Sequence, residues 1–276
     1  MENYSQEEFN KKLNMQIRRL TENMQKNNLI PKAILIVGQP GAGKTTIARI
    51  INEQMNYNTI FISGDEYRKA HPHYYALYEK YGDAAVLKTQ KFAGEMTEAL
   101  INYLSKKNYN LIIEGTLRTL NVPIHTKTIL ENRGYHVELS VMLVRPEQSY
   151  LSILKRYQEM KESGTTPRMT PKEHHDLVVH NIINNLDTIY KRKLFSSITM
   201  YNRDKIQIYN SQEMPTINPA ILMKKEFSRN LTKKERTILL SDFKKYVTSN
   251  ELQKIVDHGL TILGKEPSSS KFTRDR

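Results

Sequence analysis

The apolar residues of this chain fall into two rhythms. Residues 33–37 (AILIV), 59–63 (TIFIS), 110–114 (NLIIE) and 137–144 (VELSVMLV) are short apolar runs rich in branched side chains. Such runs predict strands buried on both faces of a parallel sheet. Between them the spacing turns helical: Val86, Phe92, Met96, Leu100 and Leu104 predict a helix over 84–106, and further helices are expected over 43–55 and 148–163. Thr170, Pro171 and Glu173 supply a cap residue, a proline at the first helical position and a glutamate three residues after the cap. That pattern predicts a capping box opening a helix of some twenty residues. A fifth strand is expected at 206–209, and 5–27 reads as a polar helix closed off by Pro31.

Strands alternating with helices define an α/β fold with a mostly parallel sheet flanked by helices. Three segments follow: an N-terminal helical segment over 1–30, a core over 31–215 and a basic helical extension over 216–276. At 276 residues the chain fits one large domain or a core with an extension.

Composition narrows the classes. Cysteine is absent, which removes disulfides, thiolate metal sites and a cysteine nucleophile, and fits a reducing compartment. No apolar run approaches the ~20 residues that span a bilayer, and the first twenty residues carry no signal-like apolar stretch. The expectation is a cytoplasmic protein with no membrane partner. Forty-two Lys and Arg against 29 Asp and Glu leave a net charge of +13, and the segment beyond Leu222 holds thirteen basic against seven acidic residues. A solvated helical surface accounts for this, and so does an anionic partner; charge alone does not choose.

The strongest chemical signal is Gly38-Gln39-Pro40-Gly41-Ala42-Gly43-Lys44-Thr45, followed by Thr46. It matches G-x-x-x-x-G-K-[ST] and lies between a buried strand and a helix, the context the motif requires. Backbone N–H groups and the helix N-terminus cradle phosphate there, Lys44 reaches the β- and γ-phosphates, and the Thr45 hydroxyl ligates Mg²⁺. The chain is therefore expected to bind a nucleoside triphosphate with Mg²⁺. Two carboxylates stand at strand ends, where parallel sheets present ligands. Asp65 reads as a base for an acceptor hydroxyl, with a helix cap as its alternative. Glu114 holds Mg²⁺ through water or binds a substrate hydroxyl, an ordinary strand-end carboxylate being its alternative. No separate Walker B strand is evident. Arg156 and Arg168 flank a loop containing Gly164 and Pro167, an arrangement suited to a lid that clamps a moving phosphoryl group, surface charge being the alternative. His71, His73, His174 and His175 lack a matching third ligand for a structural metal. The aromatics of 74–81 either pack or line an acceptor pocket, and Arg145 is more charged than its setting at a strand end leads one to expect.

Taken together these residues resemble the zeta toxins of epsilon/zeta toxin–antitoxin systems. The likeness runs through GQPGAGKTT at 38–46, ISGDEYRKAHP at 62–72, MTEAL at 96–100, NLIIEGTLRT at 110–119, VPIHTKTIL at 122–130, SYLSILKRYQEM at 149–160 and TPRMTPKEHHDLVV at 166–179. It extends faintly to YNRDKIQIYN at 201–210. The resemblance implies a P-loop kinase that uses ATP and Mg²⁺ to phosphorylate the 3′-hydroxyl of the amino sugar in UDP-N-acetylglucosamine, which blocks peptidoglycan synthesis. It makes Lys44 the phosphate-binding lysine, Asp65 the catalytic base, and Arg156 and Arg168 the stabilisers of the transferring phosphate. Glu114, Thr116 and Arg118 would face the amino sugar and phosphate, and Glu98 and Thr126 the sugar-nucleotide pocket. A small helical antitoxin is the implied protein partner; nucleic acid is not. Two other readings stay open: a P-loop kinase acting on another acceptor such as a polynucleotide end, and an ATP-dependent binding module.

Overall fold

The computed structural model describes residues 2–27 and 29–247. Strands β1 (Lys32–Val37), β2 (Ile60–Ile62), β3 (Leu111–Gly115), β4 (His136–Leu143), β5 (Ile198–Asn202) and β6 (Gln207–Asn210) form one sheet in the order β2-β3-β1-β4-β5-β6. Every neighbouring pair is parallel except β5–β6, an antiparallel hairpin at one edge. The four expected apolar runs are β1 to β4, the first four strands in the chain, with β2 at one edge of the sheet. The expected strand at 206–209 is β6, while β5 was not anticipated.

β1 lies between β3 and β4, so it is buried on both faces, as its unbroken apolar run requires. Its side chains alternate between two cores: Ala33, Leu35 and Val37 face one, Ile34 and Ile36 the other. On the first face pack α1 (Gln6–Thr21), through Phe9 and Ile17, α6 (Gln90–Ser105), through Phe92, Met96, Leu100 and Leu104, and α9 (Lys172–Lys191), through Ile182, Leu186 and Ile189. On the second packs α2 (Lys44–Gln54), through Ile47, Ala48 and Ile51.

Several boundaries differ from expectation. α1 stops at Thr21 rather than 27. The helix expected from 84 begins at Gln90, because residues 64–88 form a chain of short pieces: α3 (Gly64–Tyr67), α4 (Tyr74–Tyr81) and α5 (Ala85–Lys88), linked by 3₁₀ turns. α7 (Asn121–Glu131) was not foreseen; its Pro123 sits in the first turn, where a proline costs no hydrogen bond. The capping box expected at 170–173 does not form. Pro171 itself holds the N-cap position in an extended conformation and no side chain caps the helix, so Thr170 lies outside it. α8 (Pro146–Glu162) precedes α9, and α10 (Pro219–Ser228) and α11 (Lys233–Phe243) carry the C-terminal extension. Leu239 and Phe243 of α11 pack with Leu154, Tyr150 and Met169 in a small separate core. The remainder of the expected basic extension, residues 248–276, lies outside the described residues.

Arg145 has a structural explanation. It is 2% exposed, and its guanidinium donates to the carbonyls of Glu226 (2.8 Å) and Arg229 (2.9 Å) at the C-terminal end of α10 and to Glu147 (3.1 Å). It satisfies carbonyls that a helix end leaves without partners.

Candidate active site

The P-loop folds as its glycines demand. Gly41 and Gly43 hold φ values of 78° and 93°, in the left-handed region. A Cβ on Gly41 would lie 2.0 Å from the Ser149 carbonyl oxygen, so α8 presses directly on the loop. Gly43 occupies the N-cap of α2 and offers no capping side chain, which leaves the helix's first N–H groups to an anion. Pro40 and Ala42 complete the turn. The Gln39 side chain is buried and turned away, donating to the Val144 carbonyl (2.5 Å) and to Ser149 Oγ (3.3 Å), so only its backbone serves the loop.

Beside the loop opens a cleft of about 400 Å³ lined by Lys44, Thr45, Thr46, Glu114, Arg156 and Arg203, among others. Lys44 Nζ is buried and donates to the carbonyls of Gly38 (2.9 Å) and Gln39 (3.2 Å), with Glu114 Oε1 at 3.4 Å. Thus β1 and β3, adjacent in the sheet, bring a cation and an anion together at their C-terminal ends.

A second cluster surrounds Asp65. Ser63, not Asp65, holds the cap position of α3, so the helix-cap alternative falls. Its Oδ1 accepts from Arg68 Nε at 2.9 Å, and Arg168 Nη1 donates to the Asp65 backbone carbonyl at 2.5 Å. The side chain is open to solvent, yet the protein packed around it partly desolvates the carboxyl, which alone would raise its pKa. The charge and hydrogen bond of Arg68, with the charges of Arg168 and Arg156 beyond, overcome that and hold it below the ordinary value. Asp65 is therefore an ionised carboxylate at neutral pH. Arg156 joins the two clusters, since it lines the cleft and its charge reaches Asp65. Glu66 is pushed the other way, by burial first and with Glu114 adding to it.

Of the remaining expected site residues, Thr116 and Arg118 follow β3 as a pair, the Arg118 amide 3.4 Å from Thr116 Oγ1. The Arg118 guanidinium lies 3.3 Å from His174 Nδ1; burial and that neighbouring cation lower the His174 pKa. Glu98 is exposed on α6 and Thr126 half-buried on α7, and neither lines the P-loop cleft. Tyr74 packs inward while Tyr75 is exposed. Among the described residues no group of three His, Cys, Asp or Glu side chains could hold a metal ion. The Thr45 hydroxyl and the Glu114 carboxylate are among the side-chain oxygens lining the cleft, hard donors of the kind Mg²⁺ takes alongside phosphate oxygens.

Arg203 and Lys205 were missed. They sit in the β5–β6 turn, and Arg203 donates to the Gly41 carbonyl (3.2 Å) and Ser152 Oγ (2.7 Å). The one signal for them was the faint likeness over 201–210.

A parallel sheet with a P-loop at the end of its central strand, a buried lysine and a carboxylate ringed by arginines define a P-loop kinase-like α/β protein. A family model described as zeta toxin matches residues 17–214, and the chain belongs to that family. It is 42% identical over 223 residues to Toxin PezT of Streptococcus pneumoniae serotype 4, covering 80% of this chain and 88% of that protein. It is 39% identical over 234 residues to Toxin zeta of Streptococcus pyogenes, covering 84% and 81%. A solved structure from the PezAT chromosomal toxin–antitoxin system of Streptococcus pneumoniae superposes with a TM-score of 0.78 at 37% identity, covering 92% of this chain and 98% of that one. The AvrRxo1-ORF1:AvrRxo1-ORF2 structure with ATP shares the fold, with a TM-score of 0.58 at 16% identity over 94% and 85%. Among the described residues no helix is long and apolar enough to cross a membrane.

Proposed function

We propose that this protein is the toxin of a toxin–antitoxin pair, acting in the cytoplasm as an ATP- and Mg²⁺-dependent kinase. Its acceptor is the 3′-hydroxyl of the amino sugar in UDP-N-acetylglucosamine, and consuming that precursor blocks peptidoglycan synthesis. Family membership supports the class, and the matched motifs support the acceptor. The observation that carries the mechanism is Asp65: a carboxylate kept ionised by arginines, one of which also lines the phosphate cleft.

The Asp65 carboxylate takes the proton of the acceptor hydroxyl as that oxygen bonds to the γ-phosphorus and the bond to the β-phosphate oxygen breaks, releasing ADP. Lys44, Arg156 and Arg168 offset the negative charge spread over the moving phosphoryl group. Thr45, with Glu114 within reach through water, would hold Mg²⁺, which neutralises phosphate charge when bound. Glu114, Thr116 and Arg118 face the amino sugar, and Glu98 and Thr126 line the sugar-nucleotide pocket. A small helical antitoxin holds the protein inactive.

Coupled ADP release from the purified chain with ATP and Mg²⁺ tests this. Turnover that requires UDP-N-acetylglucosamine is expected. Turnover that instead requires 5′-hydroxyl polynucleotide ends, or ATP binding with no turnover, would overturn the acceptor or the reaction respectively.

A further inference from the structure

Behind the P-loop lies a buried polar chain that the phosphate chemistry does not use. Gln39, Ser149 and His175 are each at most 1% exposed. Ser149 Oγ lies 2.8 Å from His175 Nε2 and 3.3 Å from the Gln39 amide, and it also contacts the Pro146 carbonyl at 2.9 Å. His175 Nδ1 lies 3.1 Å from Asp176 Oδ1, and Lys172 reaches Asp176 Oδ2 at 2.5 Å. Asp176 as a carboxylate can only accept, which puts a proton on Nδ1 and leaves Nε2 to share the Ser149 hydroxyl. These are the residue types of a hydrolytic triad, but Ser149 has no exposed surface and its own carbonyl abuts Gly41, so no substrate reaches it.

The chain does something else: it ties three parts of the site together. Gln39 belongs to the P-loop. Ser149 lies on α8, three and seven residues before Ser152 and Arg156, so all three share one helix face. His175 sits in the first turn of α9, seven residues after Arg168. Between the two helices, residues 163–171 carry no regular structure, so beyond the packing of Met169 and the Arg168 contact with the Asp65 carbonyl the loop is held at its ends. Phosphoryl transfer depends almost wholly on positioning, and a misplacement of about 1 Å can cost on the order of 10²-fold in rate.

We propose that Ser149 and His175 form a positioning pair that fixes the base of the 163–171 lid against the P-loop, and so sets Arg168 over the transferring phosphoryl group. The pair acts on the kinase reaction proposed above and rests on that reading. Neither residue touches ATP.

The test compares His175→Phe, which keeps a ring without hydrogen bonds, with Ser149→Ala, the double variant and His175→Gln, which keeps a polar group that can reach Ser149. Three quantities are measured: kcat for acceptor-dependent ADP release, ATP affinity by calorimetry, and amide exchange of the 163–171 peptide with ATP bound. Each single loss is expected to lower kcat about 10–100-fold, to leave ATP affinity within about threefold, and to speed lid exchange. The double variant should be no worse than His175→Phe, because the two share one interaction, and His175→Gln should recover most of the rate. Wild-type kcat in His175→Phe, multiplying losses in the double variant, or ATP affinity falling in step with kcat would overturn the pair. If His175→Phe does not fold, Ser149→Ala and His175→Gln carry the same comparison. If the wild-type chain shows no acceptor-dependent turnover, the kinase reading fails, and lid exchange decides the pair separately: unchanged exchange overturns it, faster exchange supports it.

Discussion

Lys44 Nζ and Glu114 Oε1 lie 3.4 Å apart, the lysine opening α2 across the P-loop from β1 and the glutamate on β3, which pairs with β1 in parallel. The ammonium is already drawn inward by two loop carbonyls and one carboxylate before any phosphate enters. Lys44→Met should therefore act twice. It strands Glu114, costing roughly 1–3 kcal/mol of stability, and it removes the charge proposed to meet the phosphates, lowering ATP affinity by at least about tenfold. Calorimetric titration with ATP checks the second effect; unchanged affinity would contradict the role given to Lys44.

Asp65→Asn should lower kcat by about 10²–10⁴ while ATP affinity stays near wild type, because the role proposed for it is toward the acceptor and not the nucleotide. The pH profile follows from the arginines. Because the carboxyl is held below its ordinary value of 3.8, the base form persists at every higher pH, and loss of rate through Asp65 protonation is confined to more acidic solutions. Arg68→Met removes its hydrogen-bonded cation, so the acid limb of kcat should move to higher pH. A limb that stays put would show that Arg68 does not tune this group.

Arg145→Met should be costly despite its distance from the chemistry. It leaves the Glu226 and Arg229 carbonyls uncapped and the Glu147 carboxylate, 14% exposed, without its cation. Breaking one side of such a pair costs about 3–5 kcal/mol, read as a lower denaturant midpoint. A loss under about 1 kcal/mol would place the pair in effective contact with solvent.

The elbow between α10 and α11 carries its own pH dependence. Glu235 accepts from the two terminal nitrogens of Arg229 and from the Thr232 amide and hydroxyl, and its pKa falls from 4.5 to about 2. A depressed carboxylate adds stability that is complete above 4.5 and is lost as the pH falls through about 2. Amide exchange over 233–243 should accelerate across that window, and Glu235→Gln should remove most of the dependence while costing about 1 kcal/mol at neutral pH. Equal acid sensitivity in both proteins would contradict this.

How much of this was legible in the sequence depended on whether a feature was local. The P-loop was readable from its motif, and β1 and β3 because a buried parallel strand writes its burial as an apolar run, as does the Val141–Leu143 half of β4. β5 was not, since ITMYN is five residues with neither an unbroken apolar run nor a strict alternation, and it takes its strand geometry from β4 beside it. The pieces from 64 to 88 are too short to show a period. The Thr170 capping box failed because Pro171 sits extended at the cap itself. Asp65, Arg156 and Arg168 were nameable from their motifs, whereas Arg203, 162 residues from Gly41 in sequence, became a cleft residue only through the β5–β6 hairpin. Arg145 stood out in the sequence as misplaced, and its reason lay more than eighty residues away.

The most direct test is to identify the product. The purified protein is incubated with ATP, Mg²⁺ and UDP-N-acetylglucosamine and followed by ³¹P NMR, beside the same nucleotide lacking the 3′-hydroxyl on its amino sugar. The account predicts a new phosphomonoester signal, coupled to the sugar's position-3 proton and growing with ADP, and none from the deoxy analogue. ADP with inorganic phosphate alone, or a phosphomonoester that also forms on the analogue, would contradict it.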